Sequence, residues 1–416
     1  MADKKPNIRF KGFEEEWEQK TLGSMGETFN GLSGKSKKDF GHGDAQYITY
    51  MNVFTNPIAS PNGVDSIEID TSQNAVHMGD ILFTTSSETP EEVGMSSVWM
   101  EEKPHTYLNS FCFGYRPTVP LNPYFSAYLM RSPKMREAFQ FLAQGISRFN
   151  ISKQKAMDIE TTIPKEAEQQ KIGEFFTFLD ELIGAKEQEL EKLRQIKLAL
   201  LDKMFPGDNQ DKFNGGGYNT LIYNRLQNNS ELVLSSPSAN IPSIRYRGFN
   251  KLWVKKKMED IIDLYGGMDY KHLSSGNIPV YGTGGYMLSV NKALSYKEDA
   301  IGIGRKGTID KPFVLKAPFW TVDTLFYAIP QKQQNLYYCF CIFQKVNWKK
   351  HDESTGVPSL SKVVINSIEI IISTDPEEQR KIGLFFSNLD NSINTIYEQI
   401  NKIKTFKQAC LSQMFV

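Results

Sequence analysis

A glycine-rich segment is the first place in this sequence of 416 residues where residue types and spacing suggest chemistry. It consists of Gly302-Ile303-Gly304-Arg305-Lys306-Gly307, the spacing with which dinucleotide-binding folds hold a pyrophosphate. That chemistry needs a helix directly after the glycines, because the helix N-terminus contacts the phosphates. Residues 308–312 instead have the composition of turn and strand. The segment therefore predicts a strand that ends in a turn and exposes Arg305 and Lys306.

Other patterns associated with catalysis or metal binding are incomplete. Residues 31–36 end like a Walker A loop, but Phe29 occupies the position of its first glycine. Cys339 and Cys341 lack a second pair of ligands, and the five histidines are scattered. Residues 101–103 match only a minimal acid-x-lysine pattern, and the Asn/Asp-Pro-Pro-aromatic signature of amino-methyltransferases is missing. We therefore expect a chain that binds rather than catalyses, with no catalytic residues, no metal and no cofactor of its own.

Composition and charge narrow the class of protein further. Basic and acidic residues number 48 each, and the mean hydropathy of -0.41 is typical of a soluble folded chain. No apolar run is long enough to span a membrane, and the first residues have no apolar secretion signal. Four cysteines in so long a chain do not make a disulfide framework. These features predict a cytoplasmic protein without membrane association, with local rather than overall basic surface.

Two internal repeats organise the chain. Residues 168–205 align without gaps on residues 378–415, with 16 identities in 38 positions, and both copies end in Met-Phe. A second repeat pairs residues 8–13, Ile-Arg-Phe-Lys-Gly-Phe, with residues 244–249, Ile-Arg-Tyr-Arg-Gly-Phe. Repeated ends around dissimilar middles predict one structural frame that carries two different binding domains.

The repeats at 168–205 and 378–415 have the apolar spacing of long helices. Apolar residues alternate at intervals of four and three over more than four heptads, which is typical of a coiled-coil seam. Lys197 and Lys407 occupy the same seam position, where a lysine either sets the register or extends its stem toward solvent. We expect the two helices to pair antiparallel as a stiff spacer. The predicted seam consists of Ile172, Phe176, Leu179, Ile183, Leu190, Leu193, Leu200, Ile382, Phe386, Leu389, Ile393, Ile396, Ile400 and Ile403.

The middle segments have the composition of compact α+β domains. Strands are predicted at Gln46–Val53, Asp80–Thr84, Phe111–Tyr115, Ala300–Ile303, Leu325–Ile329 and Val363–Ile372. Helices are predicted at Tyr124–Met130, Lys134–Leu142 and Leu336–Phe343. A weak echo aligns Asp80–Ser86 with Asp299–Arg305, and Leu108–Phe111 with Val322–Leu325. The predicted organisation is a first domain at 1–165, a helix at 166–205, a linker at 206–243 with a short element near Leu221–Leu226, a second domain at 244–375 and a helix at 376–416.

This duplicated order resembles the specificity subunits of type I restriction–modification enzymes. The resemblance rests on the repeated openings that end in Trp17 and Trp253, and on the Glu-Gln-x-Lys-Ile helix starts at 168–172 and 378–382. The lead-ins Gly145…Ile151-Ser152-Lys153 and Gly356…Leu360-Ser361-Lys362 also contribute. The long linker rich in asparagine and glycine departs from the pattern. The resemblance implies two pseudo-symmetric α+β target-recognition domains separated by an antiparallel coiled coil of two long helices.

The resemblance also implies the partners. Each domain is expected to recognise one half of a bipartite target in double-stranded DNA, and the helices to set the spacer and dock two adenine-N6 methyltransferase subunits. S-adenosylmethionine, ATP and magnesium are expected on those subunits and on motor–nuclease subunits. The predicted DNA-binding residues of the first domain are Lys35, Lys37, Lys38, Thr84, Thr85, Ser86, Asn109 and Arg148. Those of the second domain are Lys271, Tyr281, Thr283, Arg305, Lys306, Lys311 and Asp323.

Three other interpretations remain open at the level of sequence. A stand-alone two-domain DNA-binding regulator would bind DNA specifically without partner subunits. A coiled-coil adaptor for proteins would show no sequence-dependent DNA binding. An enzyme with unfamiliar motifs is disfavoured by the incomplete catalytic patterns. Each basic cluster, such as Arg131 with Lys134 and Arg136, is either a phosphate contact or a solvated surface.

Overall fold

The chain forms two compact units in the computed structural model, which describes residues 5–206, 231–235 and 240–416. Unit 1 comprises Met1–Glu187 and Glu398–Val416, and unit 2 comprises Gln188–Tyr397. Each unit therefore contains one end of each long helix. The element predicted near Leu221–Leu226 lies outside the described residues. Within the described ranges, none of the helices is long and apolar enough to cross a bilayer.

The first half of the chain alternates short strands with short helices before the first long helix. Its strands are β1 Glu18–Thr21, β2 Gly26–Asn30, β3 Phe40–Ile48, β4 Val64–Ile67, β5 Ile81–Thr84, β6 Ser86–Ser87, β7 Ser96–Val98, β8 Thr106–Leu108, β9 Cys112–Pro117, β10 Phe149–Asn150 and β11 Glu160–Ile163. Its helices are α1 Tyr50–Thr55, α2 Pro123–Leu129, α3 Pro133–Phe141, α4 Lys153–Met157 and the long α5 Glu166–Met204.

The second half repeats this order with fewer helices among its described residues. Its strands are β12 Leu232–Leu234, β13 Ile244–Tyr246, β14 Val254–Lys257, β15 Ile262–Gly266, β16 Ser275–Gly282, β17 Gly285–Val290, β18 Ala300–Gly304, β19 Phe313–Leu315, β20 Trp320–Thr321, β21 Leu325–Pro330 and β22 Glu369–Ile372. Its helices are α6 Leu336–Lys345, α7 Lys362–Ser367 and the long α8 Pro376–Gln413.

The two main sheets of unit 1 have counterparts with the same strand order in unit 2. Unit 1 has an antiparallel sheet in the order β2-β9-β5-β7, and unit 2 has one in the order β15-β21-β18-β19. A three-stranded sheet follows in each, β4-β3-β8 and β17-β16-β20, with one parallel pair. The antiparallel pairs β1–β11 and β14–β22 also correspond, and β11 and β22 each precede a long helix in sequence. The mixed α+β architecture and its internal duplication confirm the fold predicted from the sequence.

Two predicted strands are half wrong. The run Gln46–Val53 is strand only to Ile48, because the hydroxyl of Thr49 accepts a hydrogen bond from the Asn52 amide and caps helix α1. The run Val363–Ile372 begins as helix α7, whose amide at Val364 donates to the hydroxyl of Ser361. In both runs an N-cap outweighs the strand preference of the β-branched residues that follow.

The echo between the two domains is correct in its strands but wrong by one residue in its alignment. The amide of Cys112 donates to the carbonyl of Asn109, and the amide of Leu325 donates in the same way to that of Val322. Thr85 and Arg305 likewise donate from their amides to the carbonyls of Phe111 and Thr324. Thr85 therefore corresponds to Arg305. By the same contacts, Ser110 corresponds to Asp323.

The predicted seam residues line the interior of each unit. Of these fourteen residues, Leu193, Ile393 and Ile403 are partly exposed and the rest are buried. In unit 1, Asp180 and Glu187 of α5 pair with Lys407 and Lys404 of α8, so the residue numbers run in opposite directions. The helix segments within unit 1 are thus antiparallel.

The seam lysines form matched ion pairs. Lys407 contacts Asp180 in unit 1, and Lys197 contacts Asp390 in unit 2 with an N–O distance of 2.6 Å. The side chain of Lys197 is only 13% exposed and that of Lys407 only 15%, so neither extends freely into solvent. Because an ion pair forms only when the two residues are opposite one another, these pairs favour one register of the helices.

The repeated openings close a buried clamp on each long helix. In unit 1, Arg9 donates two hydrogen bonds of 2.6 and 2.7 Å to Glu168, and the Trp17 indole donates a third of 3.2 Å. In unit 2 the same contacts hold at 2.5, 3.0 and 3.1 Å, between Arg245, Trp253 and Glu378. Each buried carboxylate is therefore compensated by a guanidinium and an indole. The clamp fixes the domain of each unit to the start of a long helix.

The Met-Phe ends of the long helices fill aromatic pockets. Phe415 packs against Trp17, Phe125 and Phe176 in unit 1, at ring centroid distances of 6.5, 5.6 and 5.7 Å. Phe205 packs against Trp253, Tyr338 and Phe386 in unit 2, at 5.7, 5.4 and 6.3 Å. Phe415, which follows α8, therefore completes the core of unit 1, and Phe205, which follows α5, completes the core of unit 2.

Candidate nucleic-acid interface

In unit 1, several predicted DNA-binding residues converge where β5, β8 and β9 meet loops. The amide of Thr85 donates to the carbonyl of Phe111 at 2.8 Å, and the side chain of Asn109 accepts from the Phe111 amide at 2.9 Å. The exposed Arg148 guanidinium lies 5.6 Å from the centre of the exposed Phe111 ring. We call this cluster of Thr85, Asn109, Ser110, Phe111 and Arg148 loop surface 1.

Close backbone packing shapes both loop surfaces. A Cβ atom at Gly31 would lie 2.2 Å from the carbonyl oxygen of Asn109, and one at Gly267 would lie 2.0 Å from that of Val322. Since such approaches are impossible for any other residue, glycine is required at both positions. The turn before β9 and the turn before β21 are thus held against equivalent backbone segments.

In unit 2, the corresponding cluster is more strongly charged. The amides of Arg305 and Lys306 donate to the carbonyl of Thr324 at 2.8 and 3.2 Å, and the Arg305 guanidinium lies 3.5 Å from the carbonyl oxygen of Asp323. Lys306 also forms a backbone bridge with Ser359. Arg305, Lys306 and Asp323 are all exposed. We call Arg305, Lys306, Asp323, Thr324 and Ser359 loop surface 2.

Tyr281 and Thr283 lie beside loop surface 2. The carbonyl of Tyr281 accepts from the Val322 amide at 3.0 Å, and the Thr283 hydroxyl would lie 3.9 Å from a Cβ atom at Gly307. Lys271 and Lys311 are also exposed, but no contact of theirs joins them to this cluster in the described part of the chain.

Several other predicted residues of unit 1 have different roles. Thr84 and Ser86 are buried, and the Thr84 hydroxyl accepts from the Met95 amide, so both hold the frame together. Lys35 forms an ion pair of 2.6 Å with Asp70, and this ammonium holds the pKa of Asp70 well below its usual range. Lys37 and Lys38 are exposed on a short turn, where they are free to meet a phosphate.

The cluster of Arg131 and Arg136 is a structural feature of the interior. Arg131 donates to the carbonyls of Val53, Phe54 and Asn56 at the end of α1, and Arg136 donates to those of Glu91, Val93 and Gly94. Burial lowers the pKa of each guanidinium to about 10. These hydrogen bonds leave little of either side chain for a phosphate.

Two lysines outside the predicted DNA-binding set lie beside the corresponding strands β2 and β15. Lys153 contacts the side chain of Asn30 at the end of β2, and the Lys362 ammonium lies 6.0 Å from the ring centre of Tyr265 in β15. They occupy corresponding positions after the repeated Ile/Leu-Ser-Lys lead-ins. The repeat itself was the signal that would have identified them.

The two loop surfaces offer hydrogen-bonding groups of different kinds. Both surfaces have hydroxyl groups and a guanidinium, but loop surface 1 adds the side-chain amide of Asn109, whereas loop surface 2 adds an ammonium and a carboxylate. Such groups are the ones that contact base edges and phosphates. Among the described residues, no group of three His, Cys, Asp or Glu side chains could hold a metal ion.

Comparison with known families agrees with this geometry. The model of the type I restriction modification DNA specificity domain matches residues 14–195 and 250–405, most of the chain. The chain belongs to this family. The two matched segments contain both loop surfaces and most of both long helices.

Individual relatives are more distant. A Methanocaldococcus jannaschii protein, assigned as the type I restriction enzyme MjaX specificity subunit, is 26% identical over 196 residues. The match covers 46% of each chain, so it spans about half the length of this relative. The crystal structure of the S subunit of a type I restriction-modification system from M. genitalium matches 99% of both chains with a TM-score of 0.63 and 15% identity. That likeness shows a shared fold.

Proposed function

We propose that this chain is the DNA sequence-specificity subunit of a type I restriction–modification complex, in which each unit recognises one half of a bipartite target. The observation that carries the proposal is the contrast between the buried frame and the loop surfaces. The frame repeats the same strands and the same clamp, whereas the exposed residues at corresponding positions differ, as in Thr85 and Arg305. Two sites built alike but chemically unlike suit a target with two unlike halves.

The long helices are proposed to set the distance between the half-sites and to dock two adenine-N6 methyltransferase subunits. The paired seam lysines and aspartates support this role, because a spacer must keep one register to fix a distance. S-adenosylmethionine would be held by the methyltransferase subunits, and ATP and magnesium by motor–nuclease subunits.

The chain itself is proposed to be a non-catalytic subunit that acts in the cytoplasm. The incomplete catalytic patterns of the sequence support this assignment. A formal net charge of zero also fits a subunit that holds DNA weakly alone and gains affinity from partner subunits.

The central experiment is co-expression of the chain with an adenine-N6 methyltransferase subunit of the type I class, followed by sequencing of methylated adenines. The expected result is methylation within one bipartite motif with a fixed spacer. A chain that binds a specific duplex but never directs methylation would instead be a stand-alone regulator. A chain with no sequence-dependent binding would be an adaptor, and either outcome would reject the proposal.

A second experiment tests the spacer. We would insert one heptad into each long helix, after Leu190 and after Ile396, so that the apolar seam keeps its period. Seven residues add about 10 Å of helix, or about three base pairs of duplex. The methylated motif should keep its two halves and gain spacer length. An unchanged spacer would reject a distance-setting role, and a matched variant with seven residues inserted in the linker at 207–230 is the control.

A further inference from the structure

Loop surface 2 holds an exposed acidic residue, Asp323, beside the exposed cations Arg305 and Lys306. Asp323 is exposed, and its carboxylate forms no hydrogen bond or ion pair with the residues that the structure describes. The neighbouring Arg305 guanidinium donates to the backbone carbonyl of Asp323 rather than to its carboxylate. Both charged groups are therefore available to a ligand.

The backbone of both residues is held firmly. The amide of Arg305 donates to Thr324, and the carbonyl of Arg305 accepts from the Leu360 amide at 2.9 Å. Around Asp323, the Val322 amide donates to Tyr281 at 3.0 Å, and the Leu325 amide donates back to Val322 at 2.9 Å. Side chains on a backbone fixed in this way are suited to selecting a ligand by geometry.

A carboxylate on a DNA-binding surface has a narrow choice of ligands. It is repelled by phosphates, so it does not add to general affinity. In the major groove it is matched only by an exocyclic amino group, which cytosine N4 and adenine N6 supply. Adenine also presents the acceptor N7 beside N6, and a carboxylate would face that lone pair unfavourably. Cytosine is therefore the better match for Asp323.

Arg305 supplies the complementary half of the pattern. Arginine donates two hydrogen bonds to O6 and N7 of guanine, and a G·C pair presents those two acceptors next to the cytosine amino group. The proximity of the two residues follows from the 3.5 Å contact between the Arg305 guanidinium and the Asp323 carbonyl. Resting on the proposed function, we infer that Arg305 and Asp323 together recognise one G·C pair in the half-site bound by unit 2.

Loop surface 1 differs at both corresponding positions. Thr85 and Ser110 replace Arg305 and Asp323, and each offers a hydroxyl that both donates and accepts. Hydroxyl groups accept several bases, so these two positions impose no G·C preference on the other half-site. The G·C pair is therefore expected only in the half of the target that unit 2 recognises.

The test uses duplexes that carry the methylated motif, with single atoms removed at the assigned pair. Replacing cytosine by a pyrimidinone that lacks the N4 amino group should weaken binding of the wild-type complex by about 5- to 100-fold. For Asp323→Ala, which removes the acceptor, the same replacement should have a clearly smaller effect. Replacing guanine by 7-deazaguanine should affect the wild type and leave Arg305→Ala unchanged.

Glu298→Ala is the matched control, because it also removes an exposed carboxylate, but one that precedes the start of β18, whereas Arg305 follows the end of that strand. It should behave as the wild type on every duplex. Equal penalties for the pyrimidinone duplex in the wild type and Asp323→Ala would overturn the inference, and so would a motif without a G·C pair in the half affected by Arg305→Ala. Those results leave the proposed function intact, which fails only if the wild-type chain directs no bipartite methylation.

Discussion

The two units share their interior and differ at their surface. The clamp of arginine, tryptophan and glutamate is the same in both, and each aromatic pocket receives the Met-Phe end of a long helix. By contrast, β3 and β4 are joined by residues 49–63, which include α1, whereas β16 and β17 are joined by residues 283 and 284 alone. The two units therefore differ in exposed connections and side chains, and they agree where a buried charge or ring contacts a specific partner.

The clamps should respond unequally to the loss of their carboxylate. Glu378→Ala is expected to lower the free energy of unfolding of unit 2 by about 3–5 kcal/mol, because it leaves the Arg245 guanidinium buried without a partner. Glu168→Ala should cost unit 1 less, since the Arg9 side chain is 13% exposed against 5% for Arg245. Hydrogen exchange under increasing urea would report each unit separately.

A neighbouring residue supplies the control for this comparison. Glu377 pairs with Arg380 on the exposed surface of the same helix turn, so Glu377→Ala should change neither unit measurably. If Glu378→Ala were no more harmful than Glu377→Ala, the clamp would not stabilise the domain on its helix.

The Met-Phe end of each long helix should affect the unit in which it packs: Phe205 of the first half stabilises unit 2, and Phe415 of the second half stabilises unit 1. Phe205→Ala should lower the stability of unit 2 by about 3–5 kcal/mol, and Phe415→Ala should do the same to unit 1, because each leaves a cavity among buried rings. Limited proteolysis with mass spectrometry would show which unit opens first. Opening of unit 1 in Phe205→Ala would contradict the assignment of that helix end to unit 2.

The repeats carried most of the information that the sequence held about the fold. Heptad spacing predicted both long helices, because a period of 3.5 residues over such a length has no other common cause. Comparing the copies also revealed the lysines at 197 and 407. Their partners, Asp180 and Asp390, are identical between the copies as well, but an ion pair between distant segments is not visible in a local pattern.

The exposed surface was harder to predict than the interior. Thr84 and Ser86 were predicted to bind DNA, yet β5 is buried on both faces, so Thr84 lies in the core with Ser86, and Thr85 is only partly exposed. Arg131 was placed in a surface cluster, either as a phosphate contact or as a solvated side chain, although its guanidinium donates to the carbonyls at the end of α1. A single sequence does not reveal which side of a strand or loop faces solvent when polar and apolar residues are mixed.

The seam ion pairs give the smallest expected effect and the finest comparison of the units. Lys197→Met should destabilise unit 2 more than Lys407→Met destabilises unit 1, because Asp390 is 20% exposed and Asp180 is 34% exposed. The losses should lie between about 1 kcal/mol for an exposed pair and about 3 kcal/mol for a buried one. Exchange of the charges in the double variant Lys197→Asp with Asp390→Lys should restore part of the stability that Lys197→Asp alone loses. Lys404→Met, which breaks an exposed pair, is the control. If the exchanged pair recovered nothing, the lysines would stabilise the seam through their apolar stems, and the register would depend on apolar packing alone.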